Sequence, residues 1–214
     1  ARGILTEPGS FLINWNKIEK NKPVNKWDNW HQKLAKRNKE REKEIVEQGG
    51  LQTEYINPIK LCIKINEHIQ QGDIIVADGG DFVATASYIL QPCSLTGWLD
   101  PGVFGTLGVG AGFILGAKLT HPDSVVWAIY GDGAFGYSLM EFDTFTRHKI
   151  PVIAIIGNDA GWTQIARDQV DILDDAVSTE LAASDYHIAV KALGGVGYFI
   201  DNESQIDDVL TQAK

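Results

Sequence analysis

The sequence has 214 residues, 44% of them hydrophobic and 22% charged, and a formal net charge of −9. These values are typical of one globular domain with an appendage. No run of 18 or more apolar residues occurs, so the sequence predicts no membrane span. Residues 17–47 carry ten Lys or Arg against six Asp or Glu, whereas residues 48–214 carry eight against twenty-one. The acidic larger part argues against nucleic-acid binding, which needs a basic face.

The first fifty residues differ in character from the rest. Residues 1–25 combine Gly and Pro with a short apolar patch and a Lys-rich stretch, and residues 27–47 have the periodicity of a charged helix with one apolar face. Gly49-Gly50 then marks a break. We therefore predict an appendage with a charged linker helix over residues 1–50 and the main domain over residues 51–214.

The main domain contains short apolar runs that alternate with helical patterns. An N-cap and a proline at Asn57-Pro58 begin the first helix, and residues 91–102 have the composition of a loop. This alternation predicts an α/β fold, a doubly wound parallel sheet with helices on both faces. The predicted strands are 73–77, 125–130, 151–156 and 197–200, and one crossover helix is predicted between the second and the third.

Two of these strands end in turns that carry carboxylate or amide groups. Gly131-Asp132-Gly133 follows one strand and Gly157-Asn158-Asp159 follows the next. Adjacent parallel strands deliver such turns to the same edge of a sheet, where ligands bind. Asp oxygens suit Mg²⁺ or Ca²⁺, and glycines allow backbone N–H groups to point at an anion. Because the domain is acidic, an anion there needs a bridging cation, and the edge is predicted to hold a metal ion and a diphosphate.

The spacing of the two turns resembles the signature of thiamine-diphosphate-dependent enzymes. That signature is Gly-Asp-Gly, about two dozen residues and a pair that is usually Asn-Asn; here twenty-four residues separate Gly133 from Asn158-Asp159. The resemblance implies thiamine diphosphate and Mg²⁺ as cofactors, in the diphosphate-binding domain of that fold. The metal ligands it implies are Asp132, Asn158 or Asp159, and the backbone of Gly161. Asp in place of the usual Asn leaves open which member of the pair faces the metal.

The resemblance extends to other glycine-rich segments. In this family a bulky apolar residue, here Leu107, holds the cofactor in a bent form, although Leu107 could also be a plain core residue. A dinucleotide site at Gly110-x-Gly112-x-x-x-Gly116 is disfavoured, because that segment does not follow a buried strand. The complete set of cofactor-binding residues that the resemblance implies is Gly80, Asp81, Phe82, Gly105, Thr106, Leu107, Gly131, Asp132, Gly133, Ala134, Asn158, Asp159, Gly161 and Trp162.

Longer stretches, among them GNDAGWTQ at residues 157–164, are similar to the branch of the family that contains 2-hydroxyacyl-CoA lyases and acetolactate synthase-like proteins. This similarity implies cleavage of a 2-hydroxyacyl-CoA, a small-molecule acyl substrate, to an aldehyde and formyl-CoA. Acetolactate-type carboligation and a non-catalytic association module are the alternatives. The activating glutamate is expected in a pyrimidine-binding domain of a neighbouring subunit, within a homodimer or homotetramer. We therefore predict no catalytic residue in this chain and no turnover by the chain alone.

The resemblance also carries expectations about the ends of the chain. Residues 1–50 are expected to be the tail of the family's central domain, and the main domain is expected to lack its final strand after Lys214. Attachment to the endoplasmic reticulum membrane, through an N-terminal anchor outside this sequence, is a further expectation.

Overall fold

A computed structural model describes residues 3–20 and 27–214. The chain divides into two compact units, residues 1–44 and residues 45–214. The boundary of these units lies six residues before residue 50, where the sequence predicts it. That residues 1–50 are the tail of a central domain stays a prediction, and residues 1–2 and 21–26 lie outside the described part.

The first unit contains helix α1, Pro8–Glu19, which the sequence analysis did not predict. It begins where the Glu7 carboxylate accepts hydrogen bonds from the N–H groups of Gly9 (2.8 Å) and Ser10 (2.5 Å), with Pro8 at the first helical position. Helix α2, Asp28–Gly49, agrees with the predicted charged helix. Capping by a side chain and a proline explains why a short, mostly exposed segment is helical.

A four-stranded parallel sheet forms the centre of the second unit. Its strands are β1 (Ile74–Ala77), β2 (Trp98–Leu99), β3 (Val126–Gly131) and β4 (Ile153–Gly157), in the order β2-β1-β3-β4. Strands β1, β3 and β4 lie within about two residues of the predicted ones, which confirms the predicted parallel sheet. Strand β2 was missed because it is only two residues long and lies in a segment rich in turn-forming residues.

The helices of this unit lie between the strands and after them. Two helices, Asp132–Ser138 and Glu141–Arg147, occupy the crossover between β3 and β4, where the sequence predicts one. The helices are α3 (Pro58–His68), α4 (Asp81–Ser87), α5 (Gly110–Thr120), α6 (Asp132–Ser138), α7 (Glu141–Arg147), α8 (Thr163–Leu173), α9 (Tyr186–Ala192) and α10 (Ile206–Ala213), with 3-10 turns at Gly102–Phe104 and Glu203–Gln205.

Alternate residues of the strands supply two apolar clusters on opposite faces of the sheet. Ile75 and Trp127 pack with residues of α3, α4 and α10, whereas Val76 and Ala128 pack with residues of α5, α6 and α7. Both strands read as continuous apolar runs because each face is covered. The prediction of a doubly wound sheet with helices on both faces is therefore confirmed.

The predicted strand at residues 197–200 is wrong. Within the described ranges these residues have no assigned strand and no backbone hydrogen bond to β4. They pack instead against α9: a Cβ on Gly197 would lie 2.1 Å from the carbonyl oxygen of His187, and the rings of Phe199 and His187 are 5.2 Å apart. The strand was predicted from the apolar residues of this segment, and these do not determine whether a neighbouring strand is available for pairing.

Among residues 3–20 and 27–214, none of the helices combines the length and the apolarity that crossing a membrane would need.

Candidate functional site

Three glycine-rich turns meet at the carboxyl edge of the sheet. We name them by the strand that each one follows: the β1 turn (residues 78–80), the β3 turn (residues 131–133) and the β4 turn (residues 157–159). The N–H of Gly131 donates to the carbonyl of Gly79 over 2.7 Å. A Cβ on Gly131 would lie 2.8 Å from that same carbonyl oxygen, and a Cβ on Gly80 would lie 2.8 Å from the Cα of Gly131. Only glycine permits this contact between the β1 and β3 turns.

Asp132 is the buried carboxylate of the site, with 1% of its surface exposed. One oxygen accepts from the N–H of Gly133 (2.8 Å) and the other from the N–H of Gly161 (3.1 Å). Burial raises the pKa of Asp132 above its ordinary value, and the negative charge of Asp159 raises it further. The charged form is therefore costly here, and a cation beside it would remove that cost.

In the β4 turn, the two candidate side-chain ligands of the metal, Asn158 and Asp159, have different surroundings. The side-chain amide nitrogen of Asn158 donates to the carbonyl oxygen of Ser184 over 3.0 Å. Asp159 is exposed and acts electrostatically on Asp132. The structure thus brings Asp132, Asp159 and the backbone of Gly161 together, while the amide nitrogen of Asn158 is engaged elsewhere.

A segment that the sequence analysis did not identify, residues 179–181, supports the loop after β4. The N–H of Trp162 donates to the carbonyl of Thr179 (2.7 Å), and the N–H of Leu181 donates to the carbonyl of Ala160 (2.8 Å). Ala160 has a φ of 56°, in the left-handed region. No pattern in residues 179–181 pointed to this role, because the contact is long-range and uses only backbone atoms.

Trp162 and Ala134 flank the β3 turn. A Cβ on Gly133 would lie 2.5 Å from the ring of Trp162, so the indole packs directly on that glycine. Trp162 also lies beside Tyr137, with ring centroids 6.3 Å apart. Ala134 is 1% exposed and belongs to the apolar core. The predicted residue Trp162 is therefore at the site, whereas Ala134 can offer only its backbone.

The predicted residues after β1 have different surroundings. The carboxylate of Asp81 pairs with Arg167 of α8 over 2.8 Å, near the β4 turn. The ring of Phe82 is buried in the core and packs on Gly157, where a Cβ would lie 2.5 Å from the ring carbon Cγ. Gly80, with a φ of 121°, contacts the β3 turn as described above. For Phe82, as for Ala134, only the backbone N–H is available to a ligand.

Leu107 lies over the β1 turn. A Cβ on Gly79 would lie 2.0 Å from a terminal methyl carbon of Leu107, so the leucine rests directly on that glycine. Gly105 and Thr106 precede it on an exposed loop, and Gly105 has a φ of 58°. Leu107 is 36% exposed, so it is not a fully buried core residue.

Asp78 is a buried residue of the site that the sequence analysis did not select. Its carboxylate is 4% exposed and accepts from the N–H groups of Gly108 (3.0 Å) and Gly110 (2.9 Å). Burial raises the pKa of Asp78, and these hydrogen bonds partly oppose that rise. An aspartate directly after a buried strand was the available signal, since a buried charge needs partners nearby.

The described residues contain no group of three or more His, Cys, Asp or Glu side chains that could hold a metal ion. A cation at Asp132 would therefore be bound by two carboxylates at most, with backbone and ligand oxygens completing its shell. This donor set is all oxygen and fits Mg²⁺, which keeps few protein ligands and binds substrate phosphates. The glycine turns and the paired carboxylates together fit a metal–diphosphate complex.

The family model of the thiamine pyrophosphate enzyme, C-terminal TPP binding domain, matches residues 78–214. The chain belongs to the thiamine pyrophosphate enzyme family. The matched range begins at Asp78 and includes all three turns, so the resemblance found in the sequence is confirmed. Thiamine-diphosphate dependence is the family's property, whereas the role of each site residue stays a prediction.

Several curated proteins are similar to this chain over most of its length. The chain is 47% identical to 2-hydroxyacyl-CoA lyase 2 of Danio rerio over 211 residues, which is 97% of the chain and 34% of that protein. It is 47% identical to 2-hydroxyacyl-CoA lyase 2 of Homo sapiens over 210 residues, 96% of the chain and 33% of that protein. A probable acetolactate synthase of Mycobacterium bovis is 33% identical over 159 residues, 74% of the chain and 29% of that protein. The chain thus spans about a third of the length of the curated relatives that it matches.

A solved structure with the same fold is the thiamine diphosphate-dependent 4-hydroxybenzoylformate decarboxylase of Rhodococcus jostii RHA1. Its TM-score with this chain is 0.68 at 20% sequence identity, over 76% of this chain and 31% of that chain. At this identity the likeness concerns the fold alone. The predicted fold class, the diphosphate-binding domain of this enzyme family, is confirmed.

Proposed function

We propose that this chain holds the Mg²⁺–diphosphate end of thiamine diphosphate in an enzyme that cleaves 2-hydroxyacyl-CoA to an aldehyde and formyl-CoA. The observation that carries the proposal is the buried Asp132, whose carboxylate lies against the loop of Asp159 and Gly161 at the carboxyl edge of the sheet. A buried carboxylate next to a second acidic residue is costly unless a cation accompanies it.

Mg²⁺ would be bound by the carboxylates of Asp132 and Asp159 and by the backbone carbonyl of Gly161. The hydrogen bond from Asn158 to Ser184 favours Asp159 as the side-chain ligand from the pair. Residues 179–181 would keep the loop in place when the metal binds, because they fix Ala160 and Trp162 through backbone hydrogen bonds. The metal would neutralise charge both on the carboxylates and on the diphosphate.

The diphosphate would lie along the β1 and β3 turns, on the side where the following helices begin. The N–H groups of Asp81, Phe82 and Ala134 are at these helix beginnings, where they have no partner within the helix. The thiamine rings would extend toward Leu107, with the carbonyl of Gly105 near the pyrimidine ring. Since residues 48–214 carry a large excess of acidic residues, the bridging cation is essential to this binding.

When bound, thiamine diphosphate supplies the nucleophilic carbon and the electron sink that C–C bond cleavage beside a carbonyl needs. This chain's residues would bind the diphosphate, hold the metal and orient the rings. The group that activates the cofactor, a glutamate, would come from a pyrimidine-binding domain of a neighbouring subunit in a homodimer or homotetramer. The chain alone is accordingly expected to bind the cofactor without turnover.

Identity with the lyases, 47% over nearly the whole chain, supports lyase chemistry over acetolactate synthesis, for which the identity is 33% over 74% of the chain. A chimera tests this choice: these residues replace the corresponding third of the Danio rerio relative. Cleavage of a 2-hydroxyacyl-CoA is expected, and condensation of pyruvate without cleavage would favour the carboligase. The same chimera with Asp132→Ala is the matched inactive control.

Cofactor binding itself is tested on the 214-residue chain by isothermal titration calorimetry. Thiamine diphosphate is titrated into the protein once in the presence of Mg²⁺ and once with a chelator instead of Mg²⁺. Heat of binding that requires the metal is expected. Its absence in a folded chain would contradict the proposal and favour a non-catalytic association module.

A further inference from the structure

Asp78 has a buried carboxylate that takes no part in the proposed binding of the metal and the diphosphate. Its backbone N–H donates to the carbonyl of Ile129 (3.1 Å), which fixes the end of β1 against β3. Its side chain accepts from Gly108 and Gly110, the residues on either side of Val109. Hydrogen bonds to a charged acceptor are among the stronger ones in proteins, so this carboxylate fixes the loop at two points.

The first of these glycines, Gly108, directly follows Leu107. Within the part of the chain that the structure describes, Leu107 belongs to neither apolar core cluster, and its side chain rests on Gly79. Leu107 thus lies at the margin of the apolar core. The direction of its side chain depends on the backbone of residues 107–110, which Asp78 fixes.

This backbone has little room to move. Gly108 has a φ of 86°, and a Cβ on it would lie 2.9 Å from the Cβ of Tyr137. A Cβ on Gly110 would lie 2.6 Å from the hydroxyl oxygen of Tyr130 and 2.9 Å from a carboxylate oxygen of Asp78. The loop is thus in contact on both sides, and a change in the Asp78 hydrogen bonds would be transmitted to Leu107.

We infer that Asp78 is a positioning residue: it holds Leu107 in place through Gly108 and Gly110, and so makes the site prefer ligands with thiamine rings over diphosphate alone. This inference rests on the proposed function. Leu107 lies over the β1 turn, whereas the proposed metal ligands lie on the β3 and β4 sides of the edge. The two parts of the site can therefore be separated by the choice of ligand.

The test compares two ligands, thiamine diphosphate and inorganic pyrophosphate, each titrated calorimetrically with Mg²⁺ into the 214-residue chain. In Asp78→Asn one acceptor oxygen becomes an N–H donor that faces a backbone N–H, at almost unchanged volume. We expect affinity for thiamine diphosphate to fall about tenfold and affinity for pyrophosphate to change less than about twofold. Leu107→Ala is expected to have the same selective effect.

Two further variants make the test specific. Because Asp78 is inferred to act through Leu107, the double variant Asp78→Asn/Leu107→Ala is expected to bind no more weakly than Leu107→Ala. The matched control is Asp73→Asn, at the other end of β1, since Asp73 is also buried and also accepts two N–H bonds. Asp73→Asn is expected to leave the affinities of the folded protein for both ligands unchanged.

Equal weakening of both ligands by Asp78→Asn would overturn the inference, and so would additive losses in the double variant. If Asp78→Asn does not fold, Asp78→Ser, which creates no donor–donor contact, is measured in its place with the same expectation. Absence of Mg²⁺-dependent binding of thiamine diphosphate to the unmodified chain would instead contradict the proposed function, so the two failures are distinguishable.

Discussion

The two ends of strand β1 each carry a buried aspartate, and the two aspartates have different partners. At the amino end, Asp73 accepts from the indole N–H of Trp127 (2.9 Å) and from the N–H of Gln70 in its own turn (3.0 Å). At the carboxyl end, Asp78 accepts from two backbone amides of a glycine-rich loop thirty or more residues away. The hydrogen bonds of Asp73 thus join residues of the core and of its own turn, whereas those of Asp78 hold a distant loop.

This difference applies to the whole edge of the sheet. Trp127 is fully buried, but Val103 and Phe104, on the loop beside the carboxyl edge, are 99% and 89% exposed. The turns at that edge are held by backbone hydrogen bonds and by close glycine contacts, with little apolar burial. Substitutions at the amino edge should therefore leave ligand binding unchanged, whereas small substitutions at the carboxyl edge should alter it.

The largest effect is expected from Asp132→Ala, which removes the buried carboxylate proposed to bind Mg²⁺. Affinity for thiamine diphosphate in the presence of Mg²⁺ is expected to fall about 100-fold or more. Calorimetry on the folded variant measures this, with Asp73→Asn as the control from the other edge. Unchanged metal-dependent binding by Asp132→Ala would show that the cation lies elsewhere.

A smaller effect, on stability, is expected where the β1 and β3 turns touch. A Cβ on Gly131 would meet backbone atoms of Gly79 and Gly80 at 2.8–3.0 Å, so that Gly131→Ala requires a backbone shift. We expect a loss of about 2 kcal/mol in the free energy of unfolding, measured by denaturant titration.

Gly136→Ala, in the exposed face of α6, is the matched control for Gly131→Ala. A Cβ there has no atom within 4 Å, so this substitution is expected to raise stability by about 0.5–1 kcal/mol. Equal effects of the two substitutions would mean that the close contact between the turns does not matter for stability.

The sequence was sufficient to predict what depends on local patterns. Strands β1, β3 and β4 were found because each is a continuous apolar run that ends at a glycine-containing turn. Strand β2 and the irregular conformation at residues 197–200 depend on which partner a segment meets, and no local pattern encodes that. The break between α6 and α7 was also missed, because the apolar periodicity continues across it.

Site residues could be predicted from the sequence where a motif combines particular residue types with a particular spacing. It placed Asp132 and the β4 turn at one edge, as the structure does. It did not identify Asp78 or residues 179–181, whose contributions are long-range hydrogen bonds to backbone atoms. The preference between Asn158 and Asp159 likewise required the contact of Asn158 with Ser184, which only the folded chain contains.

The pH dependence of Mg²⁺ binding follows from the raised pKa of Asp132. Since the pKa of this group is higher in the folded than in the unfolded chain, its contribution to stability without metal is fully present below the unfolded pKa and is lost as pH rises through the folded pKa. Mg²⁺ competes with that proton, so its affinity is expected to fall by up to about tenfold per pH unit below the folded pKa.

Thermal unfolding at several pH values, with and without Mg²⁺, measures this competition. The rise in melting temperature caused by Mg²⁺ should be larger at neutral than at acidic pH. Asp132→Asn, which carries no titrating group at this position, should reduce the metal effect and remove its pH dependence. A metal effect that grows as the pH falls would contradict the assignment of Asp132.

The smallest effect is expected at the pair after β4, where the sequence left two candidates. Asp159→Asn should lower Mg²⁺ affinity only about threefold, because an amide oxygen remains available to the metal while one negative charge is lost. The same substitution should lower the pKa of Asp132, since the charge of Asp159 helps to raise it. Asn158→Ala, which removes only the hydrogen bond to Ser184, should change Mg²⁺ affinity still less.

Asp159→Ala removes the ligand oxygen altogether and completes this comparison. It is expected to weaken Mg²⁺ binding about tenfold, clearly more than Asn158→Ala does, in metal titrations followed by calorimetry. The reverse order would assign the metal to Asn158. In that case the contact of Asn158 with Ser184 would have to break when the metal binds, and the loop after β4 would differ between the metal-free and metal-bound protein.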